Sequence, residues 1–285
     1  MEDSADKKRI GCMSIAKISL KRRRHRVHDD KIKELKDLLN QVCLLEHPHI
    51  VKYHEYWIEE DTMCVMTECL SPNNLHNYLR KRRKEDILLD EQEILIYFLQ
   101  IAEATKYLHN QGLTLKGITM KHFLMYDNNV LKLNMPVISE FEEETRLPTT
   151  LMYIHEARYY QHPETVLKPE KHTKETDLWP LGCLLHEMLT LRKTFNVEGC
   201  TSSRDKFFQV HNKIRYIQYE QVSYKYSEAI RQLVASMFDR DPTRRPSIDQ
   251  ILGVLNSKKR SNSTDMETDA DSVPEKRRKT CEDDI

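Results

Sequence analysis

The chain is organised around the stretch from Tyr107 to Met125, where a helix end runs into a short loop and the loop runs into an apolar strand. The segment leading in, Asp90 to His109, places Ile94, Phe98, Ile101, Thr105 and Leu108 on one face, with Asp90 set to cap the helix start. His109, alone at the helix end, reads as a capping or packing residue rather than a ligand.

Composition bounds what such a chain can be. With 285 residues, 39% of them apolar, there is material for one large domain or two modest lobes. Lys plus Arg and Asp plus Glu both total 45, so no overall field points to nucleic acid or an acidic substrate. The seven cysteines (Cys12, Cys43, Cys64, Cys69, Cys183, Cys200, Cys281) form no C-x-x-C pair and follow no secretory segment, which predicts reduced thiols in a nuclear and/or cytoplasmic protein. The apolar runs are only a few residues long, against roughly 20 for a membrane span, so no membrane partner is expected.

Along the chain, Met13 to Leu20 alternates like a half-buried strand and ends in a basic cluster at Lys21 to Arg24 with Arg26. Lys31 to Leu45 sets Ile32, Leu35, Leu38 or Leu39, Val42 and Leu45 at helical spacing. Met63 to Leu70 reads as a buried strand, and Ser71-Pro72-Asn73-Asn74 as turn chemistry before a helix. From Ser257 on there are no aromatic residues, many Ser, Thr, Asp and Glu, and two basic clusters, Lys258 to Arg260 and Lys276 to Lys279. That composition predicts a disordered tail over 257–285, its clusters serving either as a nuclear import signal or as a solvated linker.

The loop after His109 resembles the catalytic loop of protein kinases, H-R-D-L-x-x-x-N, in which Asp accepts the substrate proton and Asn holds magnesium. Leu115 then stands at the His, Lys116 at the Arg, Gly117 at the Asp and His122 at the Asn. The segment Val130 to Ser139 occupies the place of D-F-G, with Met135 at the magnesium-binding Asp. Ser14 to Lys17 resembles the V-A-I-K strand, which would make Lys17 the nucleotide-gripping lysine. The usual glutamate partner falls on Leu38, with Glu34 and Asp37 nearby. In the hinge of that frame Thr67 is the gatekeeper, and the backbone of Glu68 and Leu70 faces an adenine. None of the six glycines (Gly11, Gly112, Gly117, Gly182, Gly199, Gly253) builds the phosphate-covering G-x-G-x-x-G.

The second half carries the stronger likeness. Gln161-His162-Pro163-Glu164 resembles A-P-E, Asp177 to Thr190 resembles the central buried helix of the large lobe, and Asp239 to Ser247 supplies Arg245 as the buried partner of Glu164. Leu189 to Phe195 is similar to the NIMA-related kinases. The block His47 to Glu59 is similar to the with-no-lysine kinases, the nuclear-receptor-binding-protein pseudokinases and the kinases of translation initiation factor 2. The resemblance implies an α+β, bilobal, protein-kinase-like fold: a truncated small lobe over 1–70, a mainly helical large lobe over 71–256, and the tail.

With Gly117, His122 and Met135 at the chemical positions, the resemblance implies a pseudokinase. It would be a binding or regulatory module with no catalytic or metal-ligating residue and no cofactor, engaging a protein partner such as an active kinase or its substrate. Residual nucleotide contact would fall to Lys17, Glu68 and Leu70. The alternative is a weakly active, atypical Ser/Thr kinase in which displaced acids such as Glu140 or Asp127 serve the metal. A third reading is a truncated product of a longer kinase-like gene.

Overall fold

Strand β1 (Met13–Ser19) turns Met13, Ile15 and Lys17 outward and buries Ile18 on its other face, the alternation its sequence predicts. The computed structural model describes residues 13–20, 29–115, 117–135, 159–164, 172–199 and 202–268. β1 pairs antiparallel with β3 (Thr62–Glu68), which pairs on its other side with β2 (Tyr53–Glu59), giving a three-stranded sheet in the order β1-β3-β2. The central strand is the most apolar, and its Met63, Cys64 and Val65 are all buried. Helix α1 (Asp29–Val42) starts with two acids, which suit the positive end of a helix dipole, and buries Leu35, Leu39 and Val42. Leu38 is half-buried and packs against the same core.

Two backbone hydrogen bonds clip the segment before β2 to a second, smaller sheet. Val51 N–H donates to Leu133 O at 2.9 Å, and Leu133 N–H donates to His49 O at 2.9 Å. Leu133 ends β5 (Val130–Leu133), which forms an antiparallel hairpin with β4 (Phe123–Tyr126). Before the hairpin come α2 (Leu75–Lys84) and α3 (Glu91–Asn110), each capped by a side chain: Asn74 accepts from Asn77 N–H and Asp90 from Glu93 N–H. After it come α4 (Lys174–Thr190), α5 (Ser203–Tyr216), α6 (Glu228–Met237) and α7 (Ile248–Thr268).

Helix α4 is buried on every side from Thr176 to Leu189, and α3 and α6 pack directly against it. Its Gly182 lies so near α6 that a Cβ there would sit 2.9 Å from Met237 Cβ, so a larger residue would force the two helices apart. Trp179, fully buried, stacks on Phe195 at 5.6 Å and meets Phe238 edge-on at 5.1 Å.

This is the α+β arrangement that the sequence predicts, with the three-stranded sheet and α1 in the first part of the chain and helices predominating after it. The tail boundary needs correction: α7 runs through Ser257 to Thr268, carrying Lys258 to Arg260 with it. Ile251, Leu252 and Leu255 are buried and fix the helix, and Lys258, Lys259 and Arg260, good helix formers, follow directly on the last buried turn. The clusters at 21–26 and 276–279, and the acids Glu140, Glu142, Glu143 and Glu144, lie outside the described residues.

Candidate active site

The loop after α3 is held from below by Asp177, a carboxylate with no solvent exposure near the start of α4. Its Oδ2 accepts the Leu115 backbone N–H at 2.8 Å and lies 2.8 Å from His109 Nε2, while its Oδ1 lies 2.7 Å from His172 Nε2. Burial works to raise the Asp177 pKa, and the contacts from His109, His172 and Leu115 outweigh it, so the group stays below its ordinary value. His109 is therefore a buried, paired residue with a positioning role. Asp177 and His172 were not singled out in sequence, because Asp177 meets Leu115 across 62 positions.

Above this anchor Gly117 is exposed at φ 63°, and no atom lies within 4 Å of where a Cβ would be. Three residues on, the Met120–His122 turn is closed by a reciprocal cap: the Thr119 hydroxyl accepts Lys121 N–H at 3.3 Å, and His122 Nδ1 accepts Thr119 N–H at 2.9 Å. Met135 is 5% exposed and packs in the core. Beside it, Tyr53 donates its hydroxyl to Asn134 Oδ1 at 2.6 Å and lies 3.3 Å from Met135 O. β2 thus pins the segment at the place of D-F-G.

Of the residues expected to face a nucleotide, Glu68 and Leu70 lie together at the end of β3 with their polar groups already partnered. Leu70 N–H donates to Ser14 Oγ at 3.1 Å, and Glu68 O accepts the hydroxyl of the buried Thr67 at 3.0 Å. The Glu68 carboxylate points away to Lys132, whose Nζ lies 2.7 Å from both oxygens, and it accepts Lys52 N–H at 2.9 Å. Lys17 is exposed on β1, paired through Cα with Cys64. Leu38 supplies no charge to it. Ser14 was missed in sequence, where nothing marks a serine 56 positions from its partner.

On the far side of the loop Arg245 Nη2 lies 2.8 Å from Glu164 Oε1, as expected from the two motifs. The Arg245 side chain has no exposure and that of Glu164 has 12%, so the pair is largely desolvated. At this separation the two charges form a close ion pair out of contact with most of the solvent. The guanidinium also donates through Nε to Asp239 O at 2.9 Å and through Nη1 to Glu175 O at 3.2 Å, and it covers the Trp179 ring at 5.2 Å.

The magnesium of phosphoryl transfer does not fit the described residues at its usual place. Met135 offers a thioether, a soft donor for a hard cation, and the Asn134 oxygen and His122 Nδ1 are engaged in the contacts above. Among the described residues no three His, Cys, Asp or Glu side chains are placed to hold a metal ion together. Asp127 follows β4, at the opposite end of the hairpin from His122 and Met135. Four strand residues, about 13 Å, separate it from the loop, which removes it as a stand-in ligand.

Comparison with known proteins extends over most of the chain. The family described as "Protein kinase domain" matches residues 4–254. Similar proteins include the serine/threonine-protein kinase Nek9 of Mus musculus, 28% identical over 224 residues that cover 77% of this chain and 22% of that protein. The probable serine/threonine-protein kinases nek3 and nek2 of Dictyostelium discoideum are each 28% identical, over 227 and 229 residues. These cover 77% and 78% of this chain, and 19% and 52% of the relatives. The chain spans about a fifth to a half of the length of these relatives.

These matches overturn the reading of the chain as a catalytically inactive binding module and as a non-enzyme, because the relatives are named serine/threonine kinases; the weakly active alternative fits them better. Missing motif residues weigh less than the sequence suggests, for a physical reason. A positioned base contributes about 10²- to 10⁴-fold, and the loose transition state of phosphoryl transfer asks mainly for positioning and charge, so the absence of a base from its usual place is not by itself an argument against an enzyme. With the loop anchored by Asp177, Glu164 tied to Arg245 and the family match running from residue 4 to residue 254, the chain belongs to the protein kinase domain family.

Proposed function

We propose that the chain is an atypical Ser/Thr protein kinase of low turnover that acts on protein substrates. The observation that carries this reading is the Asp177 anchor. A buried carboxylate holds the Leu115 amide, so the loop is fixed from α4 whether or not a base stands at Gly117. In this reading adenine lies against the Glu68 to Leu70 backbone and displaces the Ser14 hydroxyl, and Lys17 on the neighbouring strand meets phosphate charge. The family match and the Nek-type relatives support it, and the two basic clusters of the C-terminal segment favour a nuclear and/or cytoplasmic protein.

The test is transfer of labelled γ-phosphate from ATP to Ser and Thr of a generic protein substrate by the purified full chain. A slow transfer that Lys17→Met abolishes is the expected result. A signal equal in the wild type and in Lys17→Met, or none above background, would overturn the assignment.

A further inference from the structure

Two elements that meet beside the loop leave a cleft of about 180 Å³ between them, lined from α2 by His76, Arg80 and Arg83 and from the end of α4 by Arg192 and Lys193. Met120, three residues past Gly117, forms part of its wall, so a chain lying in the cleft would also lie beside the loop. Resting on the kinase reading above, we propose that this cleft receives acidic residues of the protein substrate.

Three observations support that occupant. The one carboxylate of the lining, Glu187, is 5% exposed and already neutralised: Tyr160 donates to its Oε2 at 2.6 Å and Lys193 Nζ lies 3.1 Å from its Oε1. It offers nothing to a basic peptide. Arg80 and Arg83 are exposed, pair with no carboxylate among the described residues, and stand at i and i+3, where like charges repel across one helical turn. The helix dipole accounts for cations in the last turn of α2, from Lys81 to Lys84, but not for Arg80 before it. Finally, α4 ends with Leu191 in the left-handed region at φ 55°, its N–H bonded to Glu187 O at 2.8 Å. That conformation, costly for leucine, turns Arg192 and Lys193 back towards α2.

With Lys193 engaged by Glu187, and Arg192 3.8 Å from the exposed Glu220, Arg80 and Arg83 leave the lining with an excess of positive charge, a complement to Asp and Glu side chains. No Phe, Tyr or Trp of the described residues lines the cleft to stack a base, which favours a peptide over a nucleic acid.

The test is fluorescence anisotropy of the full chain with three labelled probes: an alanine-centred peptide flanked by Asp and Glu, the same peptide flanked by Lys and Arg, and a single-stranded oligonucleotide. Alanine at the acceptor position makes the readout independent of turnover. The acidic peptide should bind best, lose affinity about tenfold or more in Arg80→Glu/Arg83→Glu, and weaken with added salt. Both positions are exposed, and circular dichroism would verify that the variant is folded. Equal binding of the acidic and basic peptides, tighter binding of the oligonucleotide, or a folded variant that binds like wild type would overturn the proposal. Acidic-peptide binding without phosphate transfer to the serine version would leave the cleft standing and sink the kinase reading. Transfer with no acidic preference would do the reverse.

Discussion

Asp177 accepts the backbone N–H of Leu115 at 2.8 Å, with no solvent exposure at the carboxylate. A loop residue is thereby positioned by a helix 62 residues away, through a main-chain group that any side chain at 115 would leave in place. Fold and site are coupled at this point: the carboxylate that holds the loop is also the partner of His109 at the end of α3 and of His172 before α4.

Removing that carboxylate strands three donors in the interior. Asp177→Ala should lower stability by about 3 to 5 kcal/mol, in line with other buried networks from which one member is deleted. Asp177→Asn keeps one acceptor oxygen and should fall between alanine and wild type. Urea unfolding of the three proteins checks the order; an alanine variant within about 1 kcal/mol of wild type would show that the network is not a source of stability.

Gly117 offers the opposite experiment, a gain. The position is exposed and nothing lies within 4 Å of a Cβ, so an aspartate meets no steric obstacle. Its backbone at φ 63° would cost about 1 to 2 kcal/mol, less for Asp than for most residues. Gly117→Asp should melt slightly earlier and transfer phosphate about 10²-fold faster, at the lower end of what a positioned base supplies. Initial rates on a serine peptide decide it. An unchanged rate in a folded variant would mean that residue 117 does not face the acceptor hydroxyl.

The elements were legible in the sequence because each depends on local periodicity: β1 alternates at Met13, Ile15 and Lys17 against Ile18, and α3 buries Ile94, Phe98, Ile101, Thr105 and Leu108 as its spacing requires. The Glu164 to Arg245 pair was legible because each residue sits in its own recognisable motif. What stayed hidden depends on tertiary approach. Ser14 reaching Leu70 and Tyr53 reaching Asn134 are common residue types with no local pattern, brought together only when β1 closes on the hinge and β2 on the segment after β5. The end of α7 was misplaced because its last residues, rich in Ser, Asn, Thr and Asp, carry no apolar period and continue a helix that the buried turn at Ile251 to Leu255 has already fixed.

Ser14 makes a direct prediction at the hinge. Its hydroxyl occupies the Leu70 N–H, so a nucleotide must replace a hydrogen bond with a net value of about 0.5 to 1.5 kcal/mol. Ser14→Ala removes that competitor and should tighten adenine-nucleotide binding by about 2- to 12-fold. Calorimetric titration with ATP measures it. Weaker or equal binding in a folded Ser14→Ala protein would place the adenine elsewhere.

The Glu164 to Arg245 pair can be tested by mutation and by pH together. Arg245→Ala leaves Glu164 charged and largely desolvated and deletes the contacts to Asp239 O, Glu175 O and the Trp179 ring, so at pH 7 it should cost about 3 to 5 kcal/mol. Burial alone would raise the Glu164 pKa; the contacts with His162 and Arg245 outweigh it and hold the group at about 2, against an ordinary 4.5. A carboxylate whose folded pKa is depressed stabilises the fold above its ordinary pKa and loses that contribution as pH falls towards the folded one. Titration of the unfolded chain is common to both proteins and cancels, so the difference in melting temperature between wild type and Arg245→Ala should shrink as pH falls from the range where the buried Glu164 of the variant takes up its proton, which lies above the wild-type value, down to about 2. Its uncharged remainder, the lost backbone and ring contacts, should persist at the acid end. A difference that is small at pH 7, or that grows on acidification, would show that the pair does not tie the segment at Glu164 to the turn before α7.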